Sequence, residues 1–182
     1  MKKYFLILTL TFCSSQTFAS FNDSVIQNLK SINNLSFKFE QNINEKTEKG
    51  NCYIEYPKKI YCKYDLKNKK ILVSNGKSLV IKTMTSFYLY PLEKTPLNVI
   101  LDKGFLINKI SSLEGRLIDN KYINYNFLEN ENEINIFFDK KNFNLIGWQT
   151  LDIYQNLSIT FLSSIVKNQN LDKNLFLLPK RN

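Results

Sequence analysis

A pair of short alternating runs that flank Pro57 constrains the fold of this chain more than any other feature. Successive side chains of a β-strand point to opposite faces, so Cys52 and Ile54 share one face of the first run. If a hairpin centres on Pro57, Ile54 lies opposite Ile60, and Cys52 lies opposite Cys62. The pattern therefore predicts a strand pairing, an apolar surface and two adjacent thiols. The two runs are residues 51–56 and 59–64.

The two cysteines of this register are placed well for a disulfide. Opposed positions on antiparallel strands have Cβ atoms about 4.5–5.5 Å apart, and a disulfide needs a slightly closer approach. An oxidising, exported location favours the bond, whereas two buried thiols that pack as small hydrophobes are the alternative. We expect a Cys52–Cys62 disulfide that stabilises the fold by about 2–3 kcal/mol.

The amino terminus has the order of a secretory signal peptide, which we assign to residues 1–19. Two lysines come first, residues 4–12 form an apolar run, and Ala19 ends a sequence that resembles a small-x-small cleavage site. The apolar run is too short to cross a bilayer as a helix. We expect cleavage after Ala19 and a soluble periplasmic domain over residues 20–182.

The composition excludes several classes of active site. The chain has no histidine, which rules out Ser-His-Asp and Cys-His catalysis and removes the most common metal ligand. The five glycines form no phosphate-binding loop. The acidic residues 129–133 could form a cation site or a solvated loop. A hydrolase that uses two carboxylates needs only a pair of acids and stays open.

The formal charge of +9 is concentrated in part in one short region. Lysines discourage edge-to-edge aggregation of strands, and a basic edge can also dock on an anionic membrane or an acidic partner. Because the chain carries an export signal, we do not expect it to bind nucleic acid. The lysines of this region are Lys58, Lys59, Lys63, Lys67, Lys69 and Lys70.

Hydrophobic periodicity predicts one antiparallel sheet of about ten strands, together with two helical pieces. Apolar spacing predicts a helix near the start of the mature chain, and Thr95-Pro96 is a good beginning for a second helix that Gly104 ends or kinks. Polar residues 42–50 predict a loop, and Asn75-Gly76 predicts a hairpin turn. The apolar run 175–179 predicts a last edge strand.

A set of short motifs, taken in order and spacing, resembles the LolA family of periplasmic outer-membrane lipoprotein carriers. The resemblance implies an incomplete, strongly curved antiparallel β-barrel with a helical lid, and a monomer that has neither enzymatic activity nor a cofactor. It also implies three partners: lipoprotein acyl chains, an inner-membrane ABC transporter and an outer-membrane acceptor. The motifs are Phe39-Glu40-Gln41, Gly50 followed by Pro57, residues 71–77, residues 90–92, residues 95–97 and Gly147-Trp148.

The resemblance further implies where the ligand lies. The inward strand faces would form a hydrophobic cavity, and the helix at residues 97–101 would belong to the lid. Family members often carry an arginine before the hairpin proline, where it bonds the lid shut, but this chain has Tyr56 there, so its latch would be weaker or built differently. The expected cavity residues are Leu35, Phe37, Phe39, Ile54, Tyr56 and Ile60, and the expected lid residues are Leu97, Ile100 and Leu101.

Three other interpretations remain open at the level of sequence. The first is another lipid-binding protein of the same fold, or a membrane-anchored acceptor that is similar to LolB. In that case Cys13 would be the lipidated residue, although the bulky Phe12 precedes it. The second is an exported enzyme that acts on glycans or lipids with carboxylates. The third is a structural or adhesion domain whose fourteen phenylalanines and ten tyrosines serve only as core.

Overall fold

The computed structural model of the chain describes residues 21–152 and 154–181, and it contains one antiparallel sheet of eleven strands. The predicted signal peptide and Cys13 lie outside the described residues. The strands are β1 (Asn34–Ile43), β2 (Lys46–Glu55), β3 (Lys59–Tyr64), β4 (Ile71–Asn75), β5 (Ser78–Lys82), β6 (Phe87–Pro91), β7 (Arg116–Ile118), β8 (Tyr122–Glu129), β9 (Asn132–Asp139), β10 (Leu145–Leu151) and β11 (Leu157–Lys167).

The strand order leaves the sheet open. It runs β6-β5-β4-β3-β2-β1-β11-β10-β9-β8-β7, so that β6 and β7 are the free edges and the first and last strands meet in the middle. The helices are α1 (Phe21–Ser31), α2 (Leu97–Ile100) and α3 (Lys103–Ser112), and a 3-10 turn covers Leu92–Lys94. The predicted incomplete barrel with a short helical lid is confirmed.

The core lies on the concave side of the sheet. Inward residues of the central and later strands, such as Phe37 and Ile136, join Leu29 of α1 and Ile110 of α3 in one buried cluster. Asn22 ties the two helices together, because its Nδ2 donates to the Ile110 carbonyl at 2.8 Å and to a second carbonyl at the end of α3. Burial of these apolar side chains therefore fixes α1 and α3 against the sheet.

The hairpin register that the sequence predicts around Pro57 is confirmed. Ile54 pairs with Ile60, and Cys52 pairs with Cys62. The two cysteines form a disulfide with a Cα–Cα distance of 4.1 Å. The bond therefore joins neighbouring strands β2 and β3 on the concave side of the sheet.

Three predictions about elements are wrong. Residues 42–50 do not form a loop, because β1 and β2 stay paired up to a two-residue turn at Asn44 and Glu45, which adopt left-handed φ angles of 46° and 63°. Backbone pairing continues there although the side chains are polar. Gly104 does not end or kink a helix; the chain breaks one turn earlier, and Asp102 Oδ1 caps α3 by accepting from the Phe105 N–H at 3.0 Å.

The predicted edge strand at residues 175–179 is the third error. The segment forms a turn and an irregular tail, in which Phe176 is buried. Val73 and Val80, which face away from the concavity, are each 1% exposed and lie outside the main core. Lys59 Nζ of β3 is 5.8 Å from the Phe176 ring, and Lys82 at the end of β5 donates to a tail carbonyl. The tail therefore lies along the convex side of β3 and β5, where Phe176 is buried, and does not extend the sheet.

Candidate ligand cavity

The concave side of the sheet contains a cavity of about 230 Å³, part of whose lining belongs to the core cluster. Strands β1–β5, β10 and β11 form its walls, and α2 covers it. Most of its lining is apolar, which suits a hydrocarbon ligand. The apolar lining residues include Phe39, Ile43, Ile60, Leu72, Leu79, Ile81, Leu97, Ile100, Trp148 and Leu151.

Only some of the predicted cavity residues line this cavity, and the others are buried away from it. Phe39 and Ile60 line the cavity, together with both cysteines of the disulfide. Leu35, Phe37 and Ile54 are buried in the core cluster and are not part of the lining. These five residues all point to the concave side of the sheet. Leu35, Phe37 and Ile54 lie at the end of the concavity that α1 and α3 fill.

Gly50 lets aromatic rings pack closely in the cavity wall. It pairs with Phe39 on one side and with Tyr64 on the other, and these two rings meet edge to face at 4.9 Å. A Cβ atom on Gly50 would lie 2.1 Å from the Lys63 carbonyl oxygen and 2.8 Å from the Phe39 ring. The close approach of strands and rings therefore requires a glycine here.

The predicted lid residues belong to helix α2 and the residue after it, but not all of them line the cavity. Helix α2 begins directly after Pro96, and its Leu97 and Ile100 line the cavity. Leu101 follows the helix and is fully buried in the core cluster. Ile100 is also fully buried in the core cluster, so the lid is anchored through Ile100 and Leu101 while Leu97 and Ile100 face the cavity.

The lid is held by the residues around Tyr56. The Lys58 N–H of the β2–β3 turn donates to the Leu101 carbonyl at 2.9 Å, and Lys58 Nζ lies 3.3 Å from Asp102 Oδ2. Lys103 Nζ is 5.7 Å from the Tyr56 ring. Tyr56 itself packs against the core; its hydroxyl is buried without a hydrogen-bond partner in the described part of the chain, and burial raises its pKa.

Polar side chains in the cavity wall are the residues that the sequence reasoning missed. Gln41 Nε2 donates to Ser158 Oγ at 3.0 Å, and the Tyr64 hydroxyl donates to Gln41 Oε1 at 3.3 Å. Burial is the main reason that the pKa of Tyr64 is raised, with a smaller contribution from Glu48. Thr160, which is 4% exposed, has no hydrogen-bond partner for its hydroxyl among the described residues. The sequence did contain a signal for this polar group, because Gln41 occupies the inward position that follows Phe37 and Phe39 in the alternation of β1.

Charged and phenolic groups stand at the rim of the cavity. Lys70 Nζ lies 2.5 Å from Glu48 Oε2 and 4.1 Å from the centre of the Tyr64 ring. Tyr154, which is 64% exposed, is also part of the lining. Partial burial, together with a hydrogen bond to Tyr154, raises the pKa of Tyr90 to about 12. The rim is therefore amphipathic, whereas the interior is mostly hydrocarbon.

The acidic segment at residues 129–133 is built into a hairpin. Glu129 pairs with Lys109 at 3.2 Å, and Glu133 accepts a hydrogen bond from Asn126 at 2.6 Å. In residues 21–152 and 154–181, no group of three or more Cys, Asp or Glu side chains could hold a metal ion. None of the helices in these ranges has the length and apolar character that a membrane span needs.

Comparisons with known proteins bear on the family and the fold. The family model described as outer membrane lipoprotein carrier protein LolA matches residues 30–179. An uncharacterized conserved protein from Thermus thermophilus is 9% identical, with 89% of this chain and 93% of that chain covered and a TM-score of 0.53. MucB is 7% identical, with 87% and 62% covered and a TM-score of 0.50. At these identities the two structures support the fold alone. No curated protein matches the sequence.

Proposed function

The chain belongs to the LolA family of outer membrane lipoprotein carrier proteins, and on that premise we propose that it carries lipoproteins through the periplasm with their acyl chains shielded in its cavity. It would receive them from an inner-membrane ABC transporter and pass them to an outer-membrane acceptor. The observation that carries the proposal is the apolar cavity that α2 covers on the concave side of the sheet.

The physical need for such a carrier follows from the hydrophobic effect. Each methylene group removed from water contributes about 0.8 kcal/mol, so free acyl chains would aggregate or return to a bilayer. A concave apolar surface with a cover keeps them dispersed between membranes. Only binding is required for this task, and the proposal assigns the protein no reaction and no cofactor.

The size of the cavity indicates that the lid moves when a ligand enters. A volume of about 230 Å³ lies below the range of about 300–1,000 Å³ that is typical of small-molecule sites, and two long acyl chains need more. Leu97 and Ile100 occupy part of the space that the ligand would take. Because the empty protein already buries these side chains, the net gain on binding is reduced, which favours release to an acceptor.

The way the lid is held fits a moving element. Its polar contacts to Lys58 of the β2–β3 turn include one backbone hydrogen bond and one ion pair whose side chains are about one third exposed. An exposed pair of this kind contributes about 0.2–1 kcal/mol. Lys58 and Asp102 would thus provide a weak latch in place of the arginine that relatives often carry before the hairpin proline.

The proposed route also needs export from the cytoplasm. We assign residues 1–19 to a signal peptide that is removed, and residues 20–182 to the mature periplasmic carrier. The Cys52–Cys62 disulfide supports this assignment, because structural disulfides persist mainly in oxidising compartments.

A charge in the cavity wall tests the proposal. Ile81 lines the cavity and is half-buried, so Ile81→Glu leaves the empty protein folded but places a carboxylate against the acyl chains. We expect the mature variant to bind a fluorescent dipalmitoyl lipopeptide at least about tenfold more weakly, because an unpaired charge is costly next to hydrocarbon. The control is Leu89→Glu on β6, since Leu89 is 58% exposed on the opposite face of the sheet.

A second experiment with the same variants identifies the natural cargo. Wild-type protein is purified from the envelope after mild crosslinking, and the bound species are identified by mass spectrometry. Lipoproteins should be recovered with the wild type and with Leu89→Glu, and should be depleted with Ile81→Glu. Unchanged lipopeptide binding by Ile81→Glu, or equal recovery from all three proteins, would contradict the carrier function.

A further inference from the structure

Four neutral polar side chains form a band across one wall of the apolar cavity. We propose that this polar band binds the ester or amide carbonyl oxygens that join acyl chains to the rest of the ligand. The inference rests on the proposed carrier function and specifies which part of an acylated ligand is recognised. The polar band consists of Gln41 on β1, Tyr64 on β3, and Ser158 and Thr160 on β11.

The strand register sets the depth of the polar band. Gln41 pairs with Thr160, and the next inward pair along the same two strands is Phe39 with Leu162. Two residues of a strand advance about 6.8 Å. The wall therefore changes from polar to apolar within one inward step, and hydrocarbon that enters past the band meets Phe39 and the lid residue Ile100.

The hydrogen bonds inside the polar band leave hydroxyl donors available. Both polar atoms of the Gln41 amide are used, since Nε2 donates to Ser158 and Oε1 accepts from Tyr64. Ser158 accepts in that bond, so its own O–H can still donate. The Thr160 hydroxyl is buried and has no partner in the described ranges. An unpaired buried hydroxyl is costly, and a carbonyl oxygen of the ligand would satisfy it.

The charges around the polar band select a neutral ligand group. Gln41, Ser158 and Thr160 carry no charge, and the two charged side chains of the lining already have partners. Lys70 is paired with Glu48, and Asp152 accepts from backbone N–H groups of its own turn. A phosphate or carboxylate in the band would be a buried charge without a counterion. An acyl ester or amide carbonyl fits the donors without that cost.

The proposal is tested with lipids that differ only in the carbonyl. The probes are a dipalmitoyl-S-glyceryl-cysteine lipopeptide and its dihexadecyl ether analogue, and their binding to the mature protein is measured by fluorescence. We expect the wild type to bind the diester about five- to tenfold more tightly, the effect of one or two buried hydrogen bonds. Thr160→Val should remove most of this preference by weakening diester binding.

A matched threonine gives the control. Thr150 lies in the same wall, but its hydroxyl already bonds to the Leu151 carbonyl at 3.0 Å, so Thr150→Val should retain the preference for the ester. Because valine has no unpaired polar atom, Thr160→Val should melt at or above the wild-type temperature. A loss of the preference in that variant therefore reports recognition and not misfolding.

The remaining outcomes separate this inference from the function on which it rests. Equal binding of diester and diether by the wild type, or an unchanged preference in Thr160→Val, overturns carbonyl recognition but leaves the carrier function intact. Binding of neither probe overturns both. Dipalmitoyl phosphatidylglycerol serves as a third probe, because it is a diester of a phospholipid. Tighter binding of the lipopeptide would assign the recognised carbonyl to a lipoprotein, and tighter binding of the phosphatidylglycerol would assign it to a phospholipid.

Discussion

Removal of the Cys52–Cys62 disulfide should lower the free energy of unfolding by about 2.7 kcal/mol. The bonded residues are separated by 10 positions in the sequence. For a loop of that length, the chain-entropy model gives a loss of about 9 cal/mol/K in the unfolded state, which is about 2.7 kcal/mol at 25 °C. In a domain of this size each kcal/mol shifts the melting temperature by about 2–4 °C. We therefore expect reduction to lower it by about 5–11 °C.

The assay is scanning calorimetry of the mature protein with and without reductant, with alkylation and mass spectrometry to count free thiols in each sample. A Cys52→Val/Cys62→Val variant is measured beside the reduced wild type. Both cysteines are 4% exposed, so the two proteins lack the bond but keep an apolar pair at the same rung. The difference between their melting temperatures gives the contribution of side-chain packing at this rung, which should be smaller than the effect of reducing the disulfide.

The reasoning depends on an unfolded chain that does not already hold the two strands together. Complete reduction that moves the melting temperature by less than about 2 °C would refute it. It would mean that the β2–β3 hairpin keeps these residues close in the unfolded ensemble, so that the covalent bond adds little constraint.

Two further substitutions test the cavity wall and the lid. Gly50→Ala should lower the free energy of unfolding, measured by urea denaturation, by about 2–3 kcal/mol or prevent folding, because the added methyl group would clash with the backbone. Gly104→Ala is the control: its methyl group would meet only a side-chain oxygen at 3.5 Å, so the denaturation midpoint should not fall. Asp102→Asn keeps the cap of α3 but removes the ion pair with Lys58, so lipopeptide exchange measured by stopped-flow fluorescence should become about two- to fivefold faster. Glu40→Gln breaks the exposed ion pair with Lys49, which lies away from the β2–β3 turn, and should leave the exchange rate unchanged. An equal rate in the two variants would argue against the latch.

The hairpin was predictable because its information is local. Alternation on both sides of Pro57 allows one register that keeps the apolar residues on a common face, and the structure has that register. The hairpin at Asn75-Gly76 is of the same kind: Gly76 has a φ of 98°, as its turn requires. The curved open sheet followed from the resemblance to a family, not from periodicity alone.

The division of the concave face could not be predicted in the same way. Phe37 and Phe39 have the same residue type, face and period, yet only Phe39 lines the cavity. The difference is made by α1 and α3, which contact the sheet through residues far away in the sequence. The role of the 175–179 run was hidden for a similar reason, since an apolar run is equally suited to pair at an edge or to cover a face.

The free edges at β6 and β7 have a consequence for the range of cargo. In a closed barrel the number of strands and their stagger fix the diameter, and any expansion must break backbone hydrogen bonds. An open sheet can splay or tighten by small changes in twist while every ladder stays intact. The width of the cavity is therefore adjustable, and under the proposed function one protein would accept acyl chains of unequal number and length.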